Sequence, residues 1–244
     1  MPCLPRSTGT WPARRTGREC WRECWYDRFR SRVLSAEHGV NYLSLPPFEP
    51  VATTLHGKHV RLEPLGDAHA DGLLAAGHFP SLWAVTVQPA LDSREVVLEY
   101  LRVAARSQAE GSEVPFAIID VATNTLIGST RWMDISRPNR RLEIGATWIT
   151  PAFQRTIANT EAKYLQLVKL FDELKALRVQ LKTDLRNTQS QRAMERIGAI
   201  REGVFRRHML VRDGYVRDSV YYGITDLDWL GVKRLLENKL AARS

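Results

Sequence analysis

Residues 141–149 read as a strand and run directly into Pro151-Ala-Phe-Gln-Arg-Thr-Ile-Ala-Asn-Thr-Glu-Ala162, beyond which Leu165, Val168 and Phe171 recur at helical spacing. A β-type run that gives way to a period of 3.6 across a short polar bridge is a strand, a loop and a helix. Ala158 and Ala162 fall on the same stripe as those later apolar residues, so the helix has the one-sided face needed to lie on a sheet. A chain built around such a crossover folds as helices layered on a sheet.

The flanking segments continue the alternation. Residues 59–64 form a half-buried strand, and Asp67 is placed to cap a helix running to Ala76. Asp92-Ser-Arg-Glu95 is a capping box ahead of Val96, Val97, Leu101 and Ala104, with Gly111 closing the helix. Residues 116–120 and 126–132 form a hairpin around Thr123-Asn124, and Gly145 in the strand 141–149 marks a bulge or a close backbone approach. Downstream come a strand at 178–183, a short helix through Ile197 closed by Gly198, and two long strands turning at Arg212-Asp213-Gly214. A last helix over 226–240 turns Trp229, Val232, Leu236 and Leu240 inward. The sum is a mixed α/β sheet of six or seven strands with helices on both faces.

With 244 residues and 44% hydrophobic content, the chain can bury one sizeable core but is cramped for a second full domain. No apolar run approaches the ~20 residues of a membrane span. A formal charge of +8 implies attraction to anions, among them CoA phosphates, nucleic acid, ribosomes and acidic proteins. Residues 1–47 differ from the rest, with eight arginines, no lysine and three tryptophans. They hold all three cysteines, Cys3, Cys20 and Cys24, an odd set that suits neither a disulfide framework nor a zinc site. This stretch is expected to be a basic, disordered or non-native extension, with the working domain at 48–244.

A tight turn entering a helix aims several free N–H groups and the positive helix end at one point, which makes an anion site without lysine. Pyrophosphate suits that geometry, although any strand-to-helix crossover has such a turn. Asn187-Thr-Gln-Ser190 sits at the mouth of the next crossover, where an amide and a hydroxyl face a ligand held by the first. By itself that tetrapeptide is a helix N-cap.

Together, Trp148-Ile-Thr-Pro151, Gln154-x-x-Ile157-x-Asn159-Thr-Glu-Ala162, Asn187-x-x-Ser190, Arg196-Ile-Gly-Ala199 and Gly214-Tyr-Val-Arg-Asp218 resemble the GNAT superfamily of N-acetyltransferases. The resemblance is greatest to its Rim-type branch of ribosomal-protein N-terminal acetyltransferases and runs from about residue 48 to 240. It implies a mixed, mostly antiparallel sheet splayed between its fourth and fifth strands, with acetyl-CoA wedged into the opening. Trp148, Ile149 and Thr150 would pair by their backbone with the pantetheine arm. Gln154, Arg155, Thr156, Ile157, Ala158, Asn159 and Thr160 would surround the pyrophosphate. Ser190 matches the hydroxyl placed near the CoA sulfur and takes the role of acid, and Asn187 would hold the pantetheine or orient Ser190.

The resemblance also implies direct transfer from acetyl-CoA to an amine within one ternary complex, which requires positioning plus proton movements. Glu143 on the fourth strand is the choice of base, acting directly or through water, against the plainer role of a salt-bridged strand carboxylate. The acceptor is a protein N-terminus, ribosomal or other, a lysine or a small amine. A cytoplasmic monomer or homodimer is expected, with no membrane partner and no sequence-specific nucleic acid. His208 reads as a surface residue, Trp132 and Trp148 as core, and Asp218 as structural; the histidines lack metal-ligand spacing, so no metal is expected. One departure stands out: Ile157 replaces the glycine of the family loop. A left-handed backbone there would burden a β-branched residue by roughly 1–2 kcal/mol and weaken cofactor binding. An impaired acyl-CoA-binding protein of the same fold is therefore the alternative function. A basic nucleic-acid-binding module is a third, suggested by charge alone.

Overall fold

The computed structural model describes residues 44–84, 86–211 and 214–242. The arginine-rich arm up to residue 43 with its cysteines, and Arg212-Asp213 of the expected hairpin turn, lie outside the described residues. The unit described here belongs to Pro46–Ser244.

Eight strands form one open sheet: β1 (Leu55–His56), β2 (Val60–Pro64), β3 (Val114–Asp120), β4 (Thr125–Ser136), β5 (Arg141–Ile149), β6 (Arg178–Asp184), β7 (Ile200–Leu210) and β8 (Val216–Thr225). Their order is β1-β2-β3-β4-β5-β6-β8-β7. Every pairing is antiparallel except β5 with β6. The eighth strand beyond the six or seven expected is β1, whose two residues are too few to show a period.

Among the described residues five α-helices cover the sheet: α1 (Ala70–Gly77), α2 (Arg94–Ala109), α3 (Ala158–Val168), α4 (Thr188–Arg196) and α5 (Asp226–Ala241). Asp67 does not cap α1; it opens a separate 3-10 turn, Asp67–His69. The cap of α2 is Ser93, one residue later than the box proposed, and its hydroxyl accepts from Val96 N–H at 3.3 Å. Two apolar layers result. Leu73, Val97, Leu101 and Trp148 lie in the layer under α1 and α2. Trp132, Leu142, Ile144, Leu170 and Leu181 lie in the other, with Trp229 and Leu236 of α5. Both Trp132 and Trp148 are core residues, as their strand positions suggested.

The strand ladders shift register at five points, and at three of them, in β5, β4 and β7, a residue other than glycine takes a left-handed angle. Between Ser129↔Trp148 and Arg131↔Gly145, β5 carries one residue more than β4, and the extra residue, Ala146, sits at φ 48°. Asp134 (φ 48°) plays the same part in β4, and Arg207 (φ 50°) stands where β7 carries two residues more than β8, between Phe205↔Ser219 and Met209↔Arg217. Asp218 holds the last one, its carboxylate accepting from Arg207 N–H at 2.6 Å.

Candidate functional site

The parallel pair β5–β6 is short: Arg141↔Arg178, Leu142↔Val179 and Glu143↔Gln180 complete it. β5 then continues to Ile149 and β6 to Asp184 without pairing, so the sheet splits into a V between them. The closed end is pinned by Arg140, whose guanidinium donates to the carbonyls of Lys175, Leu174 and Pro46 at 2.9, 2.7 and 2.8 Å. These three carbonyls terminate the segment leading into β6 and the segment entering the domain, so one buried side chain sets where β6 begins. Past that point β5, kinked at Ala146, leaves one backbone edge open toward the V.

The loop from β5 to α3 forms one lip. Gln154 donates from its amide to Ile149 C=O at 3.0 Å and accepts from Gln189 of α4 at 3.2 Å. The two crossovers anticipated from the sequence therefore meet at the open end of the V. Thr156 Oγ1 donates to Phe153 C=O and accepts from Ala158 N–H, which leaves the later N–H groups of the first turn of α3 facing the lip. Ile157 has φ −72°, an ordinary helical angle, so the strain anticipated there is absent. The left-handed residue of the loop is Arg155, at φ 61°. The two positions differ because the glycine pattern marks the point of close approach and not the residue that reverses the chain. Asn187 is the N-cap of α4, its Oδ1 accepting from Ser190 N–H at 3.0 Å, which sets Ser190, half-buried, on the first turn at the opposite lip.

Behind the loop, α3 is anchored by Glu161. Its buried carboxylate accepts from the backbone N–H groups of Lys58, His59 and Val60 at 3.0, 2.7 and 2.7 Å. A side chain at Gly57 would place a Cβ 2.7 Å from that carboxyl carbon, so glycine is needed there. Two residues further, Lys163 is buried and donates to Thr147 Oγ1 at 2.7 Å, which also lies 2.7 Å from Thr130 Oγ1. Burial pushes the Lys163 ammonium down to about 7, against which Glu143 exerts a weaker opposing pull. The sequence shows Lys163 merely as a polar residue beside an apolar stripe; its neighbours come from two other strands.

Glu143 lies on the other face of the sheet, since Leu142 and Ile144 on either side of it enter the α3–α5 layer. It is 2% exposed, with Lys182 Nζ at 3.0 Å and Gln180 Nε2 at 3.1 Å. Burial raises its carboxyl above the usual carboxylate range, and Lys182 and Gln180 offset that in part. Burial disfavours the Lys182 ammonium, but Glu143 and Asp134 together outweigh it and hold the group above its ordinary value. His208 joins this group instead of standing alone on the surface: its two ring nitrogens lie 3.0 Å from Ser219 Oγ and 3.1 Å from Tyr221 OH. Burial and the cations Lys182 and Arg217 lower its imidazole. Neither Lys182 as the partner of Glu143 nor His208 and Tyr221 as neighbours of Lys182 can be read from local sequence, because the order β5-β6-β8-β7 is what sets them side by side.

Among the described residues no three His, Cys, Asp or Glu are grouped to hold a metal, and no helix is long and apolar enough to cross a membrane.

The splayed sheet has close counterparts. A family model described as an acetyltransferase (GNAT) domain matches residues 59–200. A GCN5-related N-acetyltransferase from Brucella melitensis is 31% identical, with TM-score 0.75 over 79% of this chain and 87% of that one. A protein of T. thermophilus assigned as an acetyltransferase is 36% identical, with TM-score 0.70 over 78% and 97%. Mycobacterium smegmatis RimJ in complex with CoA-disulfide shares the fold at 20% identity, with TM-score 0.64 over 82% and 98%. No curated protein sequence matches the chain. With the family model covering more than half of its length and the V-shaped opening in place, the chain belongs to the GNAT acetyltransferase family.

Proposed function

We propose that residues 48–244 form an acetyl-CoA-dependent N-acetyltransferase acting on a primary amine. The observation that carries this reading is the end of β5–β6 pairing at Glu143, which leaves the rest of β5 with a free backbone edge beside a helix N-terminus. An extended amide-bearing arm can pair with such an edge, and an anion can sit on the helix end. The residues present fit the cofactor: the backbone of Trp148, Ile149 and Thr150 for the pantetheine arm, and the loop from Gln154 to Thr160 for the pyrophosphate. When bound, acetyl-CoA supplies the acetyl group as a thioester.

The protein's share is positioning and proton transfer. Glu143 accepts the amine proton, directly or through water, and its burial keeps its pKa nearer to working pH, where a general base is most effective. A backbone N–H on the open edge of β5 polarises the carbonyl under attack. Ser190 donates a proton to the leaving sulfur, and Asn187 sets the turn from which Ser190 projects. Ile157, with its helical backbone, demands no strain, so the alternative of an impaired cofactor-binding protein now rests on the bulk of its side chain alone.

Free-thiol release from acetyl-CoA with a panel of N-terminal peptides, lysine peptides and small amines tests the proposal, beside calorimetric titration of acetyl-CoA. Acceptor-dependent thiol release that falls at least about a hundredfold in Glu143→Gln supports it. Tight acetyl-CoA binding with no acceptor-dependent release would favour the catalytically silent reading, and no binding would refute the cofactor assignment.

A further inference from the structure

A cleft of about 480 Å3 opens between the segment leading into α2, one side of α2, and β4. Its walls are Val87, Pro89, Val96 and Val103, and its floor is the pair of buried residues Tyr100 and Arg131. Arg131 is the cation of a lining that also holds Gln88, Glu95 and Glu99. Its residue exposure is 4%, its Nη1 donates to Glu113 at 2.7 Å, and its guanidinium carbon lies 4.6 Å over the Tyr100 ring. Its Nε–H is buried with no acceptor. A charge-assisted hydrogen bond is stronger where water is largely excluded, so an oxygen delivered to the part of this guanidinium that faces the cleft is held more tightly than at an exposed arginine.

The cleft adjoins the proposed base. Arg131 is the register partner of Gly145, and Met133, two residues along on the same face, is the partner of Glu143. A Cβ on Gly145 would fall 2.7 Å from Glu143 Oε1 and 2.8 Å from Met133 Sδ, so the carboxyl lies over the position directly opposite Arg131. Two residues of strand span about 7 Å. An amine brought to Glu143 therefore has its next few atoms above Arg131. A carbonyl oxygen there meets the guanidinium, whereas the second ammonium of a diamine is repelled by it. At the mouth stands Glu95, exposed and suited to a cation further along the same molecule.

We propose that this cleft, on the acetyltransferase reading given above, is the acceptor subsite for a peptide N-terminus whose first carbonyl is read by Arg131. The first side chain is apolar and lies between Val96 and Val103, and a basic residue close behind it meets Glu95. The cleft is open at its outer end, as a continuing chain requires.

The test is calorimetric titration of three probes into the full chain: a short peptide amide beginning valine, arginine; isobutylamine, which has the apolar group but no carbonyl; and 1,4-diaminobutane. The peptide is expected to bind at least about tenfold more tightly than either small probe, the discrimination one charge-assisted hydrogen bond provides. The double variant Arg131→Met with Glu113→Gln, which leaves no orphaned carboxylate, should lose that margin. So should Val103→Trp, which fills the cleft while keeping the Arg131–Glu113 pair. Equal affinities for peptide and diamine, or peptide binding unchanged in both variants, would overturn the assignment. Because binding requires no acetyl transfer, peptide binding without thiol release supports the cleft and refutes the enzyme, and acetylation of the diamine in preference to the peptide does the reverse.

Discussion

Lys163→Met should make the protein more stable near neutral pH and remove part of the dependence of stability on pH. Lys163 is 6% exposed, and burial lowers its ammonium from the ordinary 10.5 to about 7. The unfolded chain holds that proton up to about 10.5 and the native chain releases it above about 7, so between those values unfolding takes up a proton. Stability must then rise with pH across this window, by up to about 1.4 kcal/mol per pH unit. Below 7 the lysine is charged in both states and the burial cost is complete; above 10.5 it vanishes. The full span, 3.5 pH units, corresponds to about 5 kcal/mol. Methionine fills a similar volume without the charge but forfeits the bond to Thr147, worth about 1 kcal/mol, while Thr147 retains Thr130. A net gain of about 2–4 kcal/mol at pH 7 should therefore shrink to nothing by pH 10. Urea unfolding of both proteins at half-unit steps from about pH 6.5 to 9.5 measures it, and the difference between the two curves removes the titration of other groups. Parallel curves, or a variant less stable throughout, would refute the reasoning.

Three further outcomes are expected. Glu161→Ala removes the acceptor of three backbone N–H groups and should cost about 3–5 kcal/mol in chemical denaturation, with Glu161→Gln between it and the parent; a loss below about 1 kcal/mol would contradict the anchoring role. Arg155→Gly relieves a left-handed residue and should gain about 1 kcal/mol, whereas Ile157→Gly, at a helical angle, should lose about 0.5–1; thermal melts giving the opposite order would sink this account. Lys182→Met takes away the cation that holds Glu143 down, so the acid limb of the kcat/KM profile should move to higher pH; a limb that stays in place would mean that Glu143 is not the base.

Much of the architecture is legible in local pattern. The bounds of β5 agree with the alternating run at both ends, because that strand lies between a turn and Pro151 and competes with no other period. Gly198 and Gly111 end their helices at φ 91° and 69°, angles only glycine takes without strain. The family motif located both lips of the V, since Gln154 and Asn187 belong to loops whose conformation is decided by residues within a few positions. What escaped was set by partners far away in sequence. β1 has two residues and exists only because β2 pairs with it. The box Asp92-Ser-Arg-Glu95 places the cap one residue before Ser93, whose hydroxyl caps α2. The αL position fell at Arg155 because the chain must reverse before α3, which Glu161 holds to a strand about 100 residues earlier.

By itself the sequence determined the kind of molecule: a helix-on-sheet domain with a strand-loop-helix crossover, because periodicity, caps and turns are properties of contiguous residues. Only the tertiary structure decided the chemistry of the two faces around the V. Glu143 became a buried carboxylate beside Lys182, Lys163 a buried amine against Thr147, and Arg131 the floor of a cleft, each through contacts with strands or helices separated from it in the chain. Desolvation and Coulomb attraction depend on distance and burial, and neither is written in the order of the residues.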